Sequence, residues 1–140
     1  MISERLHLII DNINTQGEMR YVESTNRTQI AAFEKRNDIS LPTQYKEWLC
    51  FSDGGELYLP AGIQLYGIEH EPKIDITNND RPNKDYIVIG ALASGDPLIF
   101  KKGEEQISIY NHEDNRIEDD ETYENFFALL QDLYNIIGIE

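Results

Sequence analysis

The feature that most limits what this chain can fold into is a change of hydrophobic period at a pair of glycines, Gly54 and Gly55. Before the pair, apolar residues recur every three or four positions, as on one face of a helix; after it come short β-branched and aromatic runs divided by turn residues. Near Thr122 the helical period returns. A chain that reads helices, then a meandering sheet, then one more helix belongs to the α+β class, because helices do not alternate with strands.

The helical part divides at its own breakers. Ile2, Leu6, Ile9, Ile10 and Ile13 share one face of a segment over 2–14 that Gly17 ends. A second helix is predicted over Thr25–Asn37, with Ser24, Thr25 or Asn26 as its cap, Ile30 and Phe33 turned inward, and Asn37 and Asp38 as its end. Pro42 suits the first position of a third helix, where its missing N–H costs nothing, and Tyr45, Trp48 and Leu49 fall at i, i+3 and i+4. Gly54 and Gly55 stop that helix at little steric cost.

Five runs then read as strands of a twisted, mainly antiparallel sheet of about five or six strands: ELYLP, IQLYGIE, YIVIGAL, DPLIFKK and QISIYNH. KKGEE is a good hairpin connection between the last two. HEPKIDITNNDRPNKD, with Pro72 and Pro82, reads as a long surface excursion with room for one helical turn. The closing amphipathic helix is expected from near Thr122, with Tyr123, Phe126, Phe127, Leu130, Leu133, Tyr134 and Ile137 along one stripe. With no repeat and no linker, 140 residues make one expected domain, 1–140.

Charge narrows the function. Twelve Lys and Arg stand against 26 Asp and Glu, a net charge of −14. The first 50 residues hold seven of the acids and six of the bases, so nearly all the excess lies in the later part. Direct nucleic-acid binding, which needs clustered cations, is disfavoured, while a basic protein partner is favoured by complementary fields. The same acidity also keeps a protein soluble. No run reaches the about 20 apolar residues that cross a bilayer, so no membrane role is expected. The amino terminus lacks a leader pattern, and the single Cys50 forms no internal disulfide. A soluble protein of the reducing cytoplasm is the expectation, with the oligomeric state open and the apolar tail NIIGIE free to dock on the core or on another chain.

Catalytic patterns are wanting. His7, His70 and His112 are far apart and in no zinc-binding spacing, and Cys50 follows an apolar stripe with nothing beside it to lower its pKa. There is no nucleophile elbow and no phosphate-binding glycine loop. The run HEDNRIEDDETYE lacks the glycine and spacing of a calcium loop and reads as a solvated loop that also puts negative charge near a helix start. No catalytic residues, metal or cofactor are therefore expected, and a binding module is the better reading.

Several motifs, in order, carry a resemblance. Phe33-Glu34, Leu41-Pro42, the aromatic helix with Tyr45 and Trp48, and Gly54-Gly55 resemble the leading pattern of the SUKH superfamily, which includes a yeast cell-wall synthesis regulator and many bacterial toxin-immunity proteins. Ile89, Gly90, Gly95 and Asp96 are similar to its I-G…G-D strand pair, His112-Glu113 to its strand ending in a histidine and an acid, and TYENFFALLQDLY to its closing helix. The resemblance spans about residues 20–137. Ser52-Asp53, where the family often has an asparagine before the glycines, and Ala93-Ser94 depart from it. The shared residues Pro42, Tyr45, Trp48, Gly54, Gly55, Gly90, Gly95 and Asp96 look structural. The resemblance implies a non-enzymatic bacterial immunity protein that neutralises a polymorphic toxin, commonly a nuclease, by occlusion; a regulatory or scaffold module without a toxin is the alternative. The acids expected to meet a basic toxin lie in two long loops: Glu69, Glu71 and Asp75 in the first, Glu113, Asp114, Glu118, Asp119 and Asp120 in the second.

Overall fold

A computed structural model describes residues 2–60, 62–77 and 81–136, with the backbone alone for 118–120. Three helices come first: α1 (Glu4–Gln16), α2 (Arg27–Asn37) and α3 (Thr43–Leu49). Six strands follow, β1 (Gly55–Leu57), β2 (Ile63–Leu65), β3 (Tyr86–Leu92), β4 (Pro97–Lys101), β5 (Ile107–Asn111) and β6 (Arg116–Tyr123), and α4 (Phe126–Ile136) closes the chain. The strands lie in sequence order in one open sheet, each antiparallel to the next. This is the α+β arrangement that the change of period predicts.

Local chemistry sets the helix ends. The Ser3 hydroxyl accepts from the Leu6 amide at the start of α1, and Asn26 does the same for Gln29 at the start of α2. Asp38 takes the left-handed conformation (φ 53°) that closes α2. Pro42 sits one position outside α3, at its N-cap, rather than inside the first turn. Thr25 likewise lies outside α2.

Two larger corrections concern the end of the chain. Thr122 and Tyr123 do not begin the last helix; they are the end of β6, paired with Ser108 and Ile107. The helix starts later because the Asn125 side chain accepts from the Ala128 amide, capping it there, while a β-branched residue and an aromatic suit the strand before it. The acidic run is also no loop beyond its first residues: after a turn at 112–115 it becomes β6, because the exposed β5 edge offers it a hydrogen-bonding partner. The long excursion contains no helical turn among the described residues. Ile137 and the rest of the tail, 137–140, lie outside the described residues.

The sheet's two faces differ. Ile87, Ile89, Leu98, Phe100, Ile107 and Ile109 join the main core with α1, α3 and α4, whose Leu6, Ile13, Trp48, Phe126 and Leu133 are almost wholly buried. Each such side chain contributes about 1.5–3 kcal/mol by leaving water. The alternate residues Val88, Ile99 and Tyr110 form a smaller cluster on the other face, packed by Tyr66, Tyr86 and Ile117. Cys50 is half-buried against the main core, in line with a structural role.

Candidate partner-binding surface

The stretch after α3 organises the first acidic segment. The Trp48 indole donates to the Gly54 carbonyl at 2.9 Å, and Gly54 and Gly55 hold φ of 95° and 118°, open to glycine at little cost. A Cβ on Gly54 would stand 2.5 Å from the Leu65 carbonyl oxygen, so the corner packs backbone against backbone. Immediately before the glycines, the Asp53 side chain is completely buried, and its two oxygens accept from the amides of Ile68, Glu69 and His70 at 2.7–2.9 Å. The His70 ring nitrogen Nδ1 lies 3.0 Å from the same carboxylate. Ser52, also buried, accepts from the Val22 amide and donates to the Gly54 carbonyl. Tyr45, wholly buried, donates to the Tyr66 carbonyl, and its phenol is pushed well above its ordinary pKa by burial and then by the nearby Asp53 charge.

On that frame Glu69, Glu71 and Asp75 are exposed. Glu69 accepts from the Thr25 hydroxyl at 2.7 Å. Asp75 accepts from the Thr77 hydroxyl and amide, and the hydroxyl first, the amide second, hold its carboxyl below the usual range. Glu71 borders a cleft of about 220 Å³ that Asp53, Glu56 and Arg20 also line.

The second segment is arranged by Asn111, whose side chain accepts from the amides of Glu113 and Asp114. The following Asn115 is left-handed (φ 55°), and its side chain accepts from the Tyr110 hydroxyl. His112 donates its amide to Asp96 at 3.2 Å and sets its ring Nδ1 against the same oxygen. Thus Gly95-Asp96 and His112-Glu113, remote in sequence, meet at one end of the sheet. Glu113 and Asp114 are exposed there; Glu118, Asp119 and Asp120 lie on the backbone of β6, and their side chains are outside the description.

The two segments do not converge. Asp75 bridges to Val88, and the register then runs through Ile99 and Ser108 to Thr122. That is four interstrand steps, roughly 19 Å at the usual strand spacing. Of the other motif residues, Gly90 faces the Gln64 carbonyl, where a Cβ would come within 2.6 Å. Asp53 with His70 shapes the first segment and Asn111 the second, and sequence reasoning passed over them as site residues. Only Ser52-Asp53 left a signal, as the departure before the glycines.

The sequence pattern of the SMI1 / KNR4 family (SUKH-1) matches residues 25–132. The chain belongs to this family. The match runs from Thr25, one residue before the cap of α2, to within α4, so every strand of the sheet and the Asp96–His112 contact fall inside it. SUKH proteins include immunity proteins and are generally non-catalytic. No curated protein matches the chain. Among the described residues, no group of three or more His, Cys, Asp or Glu could hold a metal ion, and no helix is long and apolar enough to cross a membrane.

Proposed function

We propose that this SUKH protein is a non-enzymatic bacterial immunity protein of the cytoplasm that binds and neutralises a basic polymorphic toxin, a nuclease, through its acidic surface. The observation that carries the reading is the family match over residues 25–132, on a chain with a net charge of −14. A nuclease holds phosphates with Lys and Arg, so an acidic protein can compete for that surface and block it. Glu69, Glu71 and Asp75 of the first segment and Glu113 and Asp114 of the second supply exposed carboxylates for such a contact, and Glu118, Asp119 and Asp120 follow the second segment along the backbone of β6. Because the two acidic segments are separated, a toxin would engage both only by spanning the sheet.

The test is co-purification with an inactivated toxin encoded beside this gene. The complex should form and weaken as salt rises, since exposed charge pairs are screened. Binding to no neighbouring gene product would overturn the toxin reading and favour the regulatory one.

A further inference from the structure

We propose that the groove between the β3–β4 turn, β6 and α4 is an anchor pocket for one arginine side chain of the partner protein. This deepens the toxin-binding reading and rests on it for the partner's identity. The groove has a volume of about 340 Å³, at the small end of ligand-sized pockets. It therefore suits one long side chain better than an extended ligand.

Its walls and its charges are matched to such a side chain. Leu92, Ile109 and Ile136 supply apolar surface, and Asp96, Glu121 and Asp132 supply carboxylates. Among the described residues that line it there is no Lys or Arg. An arginine has the complementary build: an aliphatic stem that gains by leaving water and a planar cation that forks onto carboxylates. The cleft beside Glu71 makes the contrast, because there Arg20 shares the lining and opposes a second cation.

The carboxylates are also held in place before any partner arrives. Asp132 accepts from the Tyr123 hydroxyl at 2.7 Å through one oxygen and from the Asn135 amide at 3.0 Å through the other. Asp96 is steadied by His112 through a single oxygen. A carboxylate already oriented loses little freedom on pairing, so more of the interaction reaches the binding constant. The groove adjoins the turn that carries Glu113 and Asp114, whose exposed charges would draw a basic surface toward it.

Two measurements test the assignment. In the first, N-acetyl-arginine amide is titrated against the full chain and followed by backbone amide NMR. Shifts are expected at Leu92, Ser94, Asp96 and Asn135, and neither the uncharged citrulline analogue nor the Ser94→Lys variant should reproduce them. Shifts elsewhere, no shifts, or equal shifts with citrulline would overturn the proposal. In the second, the inactivated toxin from the neighbouring gene is bound to wild type, Asp132→Asn and Ser94→Lys. Affinity should fall about tenfold or more in each variant, as expected for a desolvated charge pair, with the circular dichroism and melting temperature of Ser94→Lys unchanged. Ser94 is an exposed turn residue, so that variant carries the test where Asp132→Asn disturbs the fold. Equal toxin affinities would sink the pocket and leave the toxin reading standing. Failure of every toxin to bind, with the arginine amide still entering the groove, would do the reverse.

Discussion

Each acidic segment hangs from an aspartate and a histidine, but the two pairs sit in different surroundings. The Asp53 side chain is fully buried and serves three backbone amides as well as His70, whereas Asp96 is 23% exposed and its His112 partner 34% exposed. The same two residue types therefore act in one place as an internal scaffold and in the other as a surface latch. Burial, more than the identity of the pair, decides how much depends on it, because an amide stripped of a partner inside the protein cannot turn to water.

The largest expected effect is at Asp53. Replacing it with alanine leaves the amides of Ile68, Glu69 and His70 without their acceptor, and a loss of about 3 kcal/mol or more is expected in denaturant unfolding. A loss below about 1 kcal/mol would break the comparison, since Asp53 would then behave like a surface residue.

Next come two glycines, one beside each pair. A Cβ on Gly67 would stand 2.3 Å from the Asp53 carbonyl oxygen and 2.7 Å from its carboxylate, so Gly67→Ala must displace the scaffold, at about 2–3 kcal/mol. A Cβ on Gly95 would stand 3.4 Å from the His112 ring, so Gly95→Ala meets only the strain of φ 96°, about 1 kcal/mol. Melting temperatures of the two variants should rank in that order. A smaller change, about 1 kcal/mol or less, is expected for Asp96→Asn, because water reaches and screens the partly exposed pair.

The smallest effect belongs to Asp75, which is exposed and outside both pairs. Asp75→Ala should shift stability at neutral pH by no more than about 0.5 kcal/mol. The Thr77 bonds lower its folded carboxyl pKa, so their contribution is present at neutral pH and lost as pH falls through that lowered value. Wild type and variant should accordingly converge on acidification; a gap that widens would show that the Thr77 contacts do not favour the ionised form.

Much of the fold was legible along the chain because it rests on neighbours. The stripes Leu6–Ile9–Ile13 and Tyr45–Trp48–Leu49 became buried helix faces, and KKGEE became a hairpin connection. Spacing alone puts the start of the last helix too early, because Tyr123 continues the stripe at helical spacing while its backbone pairs with Ile107. Local period cannot see a neighbouring strand. For the same reason HEDNRIEDDETYE looked like a solvated loop: its polarity is compatible with an edge strand, and only the free edge of β5 makes it one.

The candidate surface was legible as charge and not as place. That carboxylates dominate the later part of the chain follows from counting, and charge alone favours a basic partner. Which carboxylate is buried, which is exposed and which three border one groove follows only from the register that sets Asp75 four strands from Thr122 and brings Asp96 to His112. By itself the sequence determined the periods, caps and net charge, which act over a few residues or over the whole molecule. The tertiary structure decided what lies at hydrogen-bond range between distant residues, because a contact such as Asp53 to His70 exists only when separate segments close on one another and leave water behind.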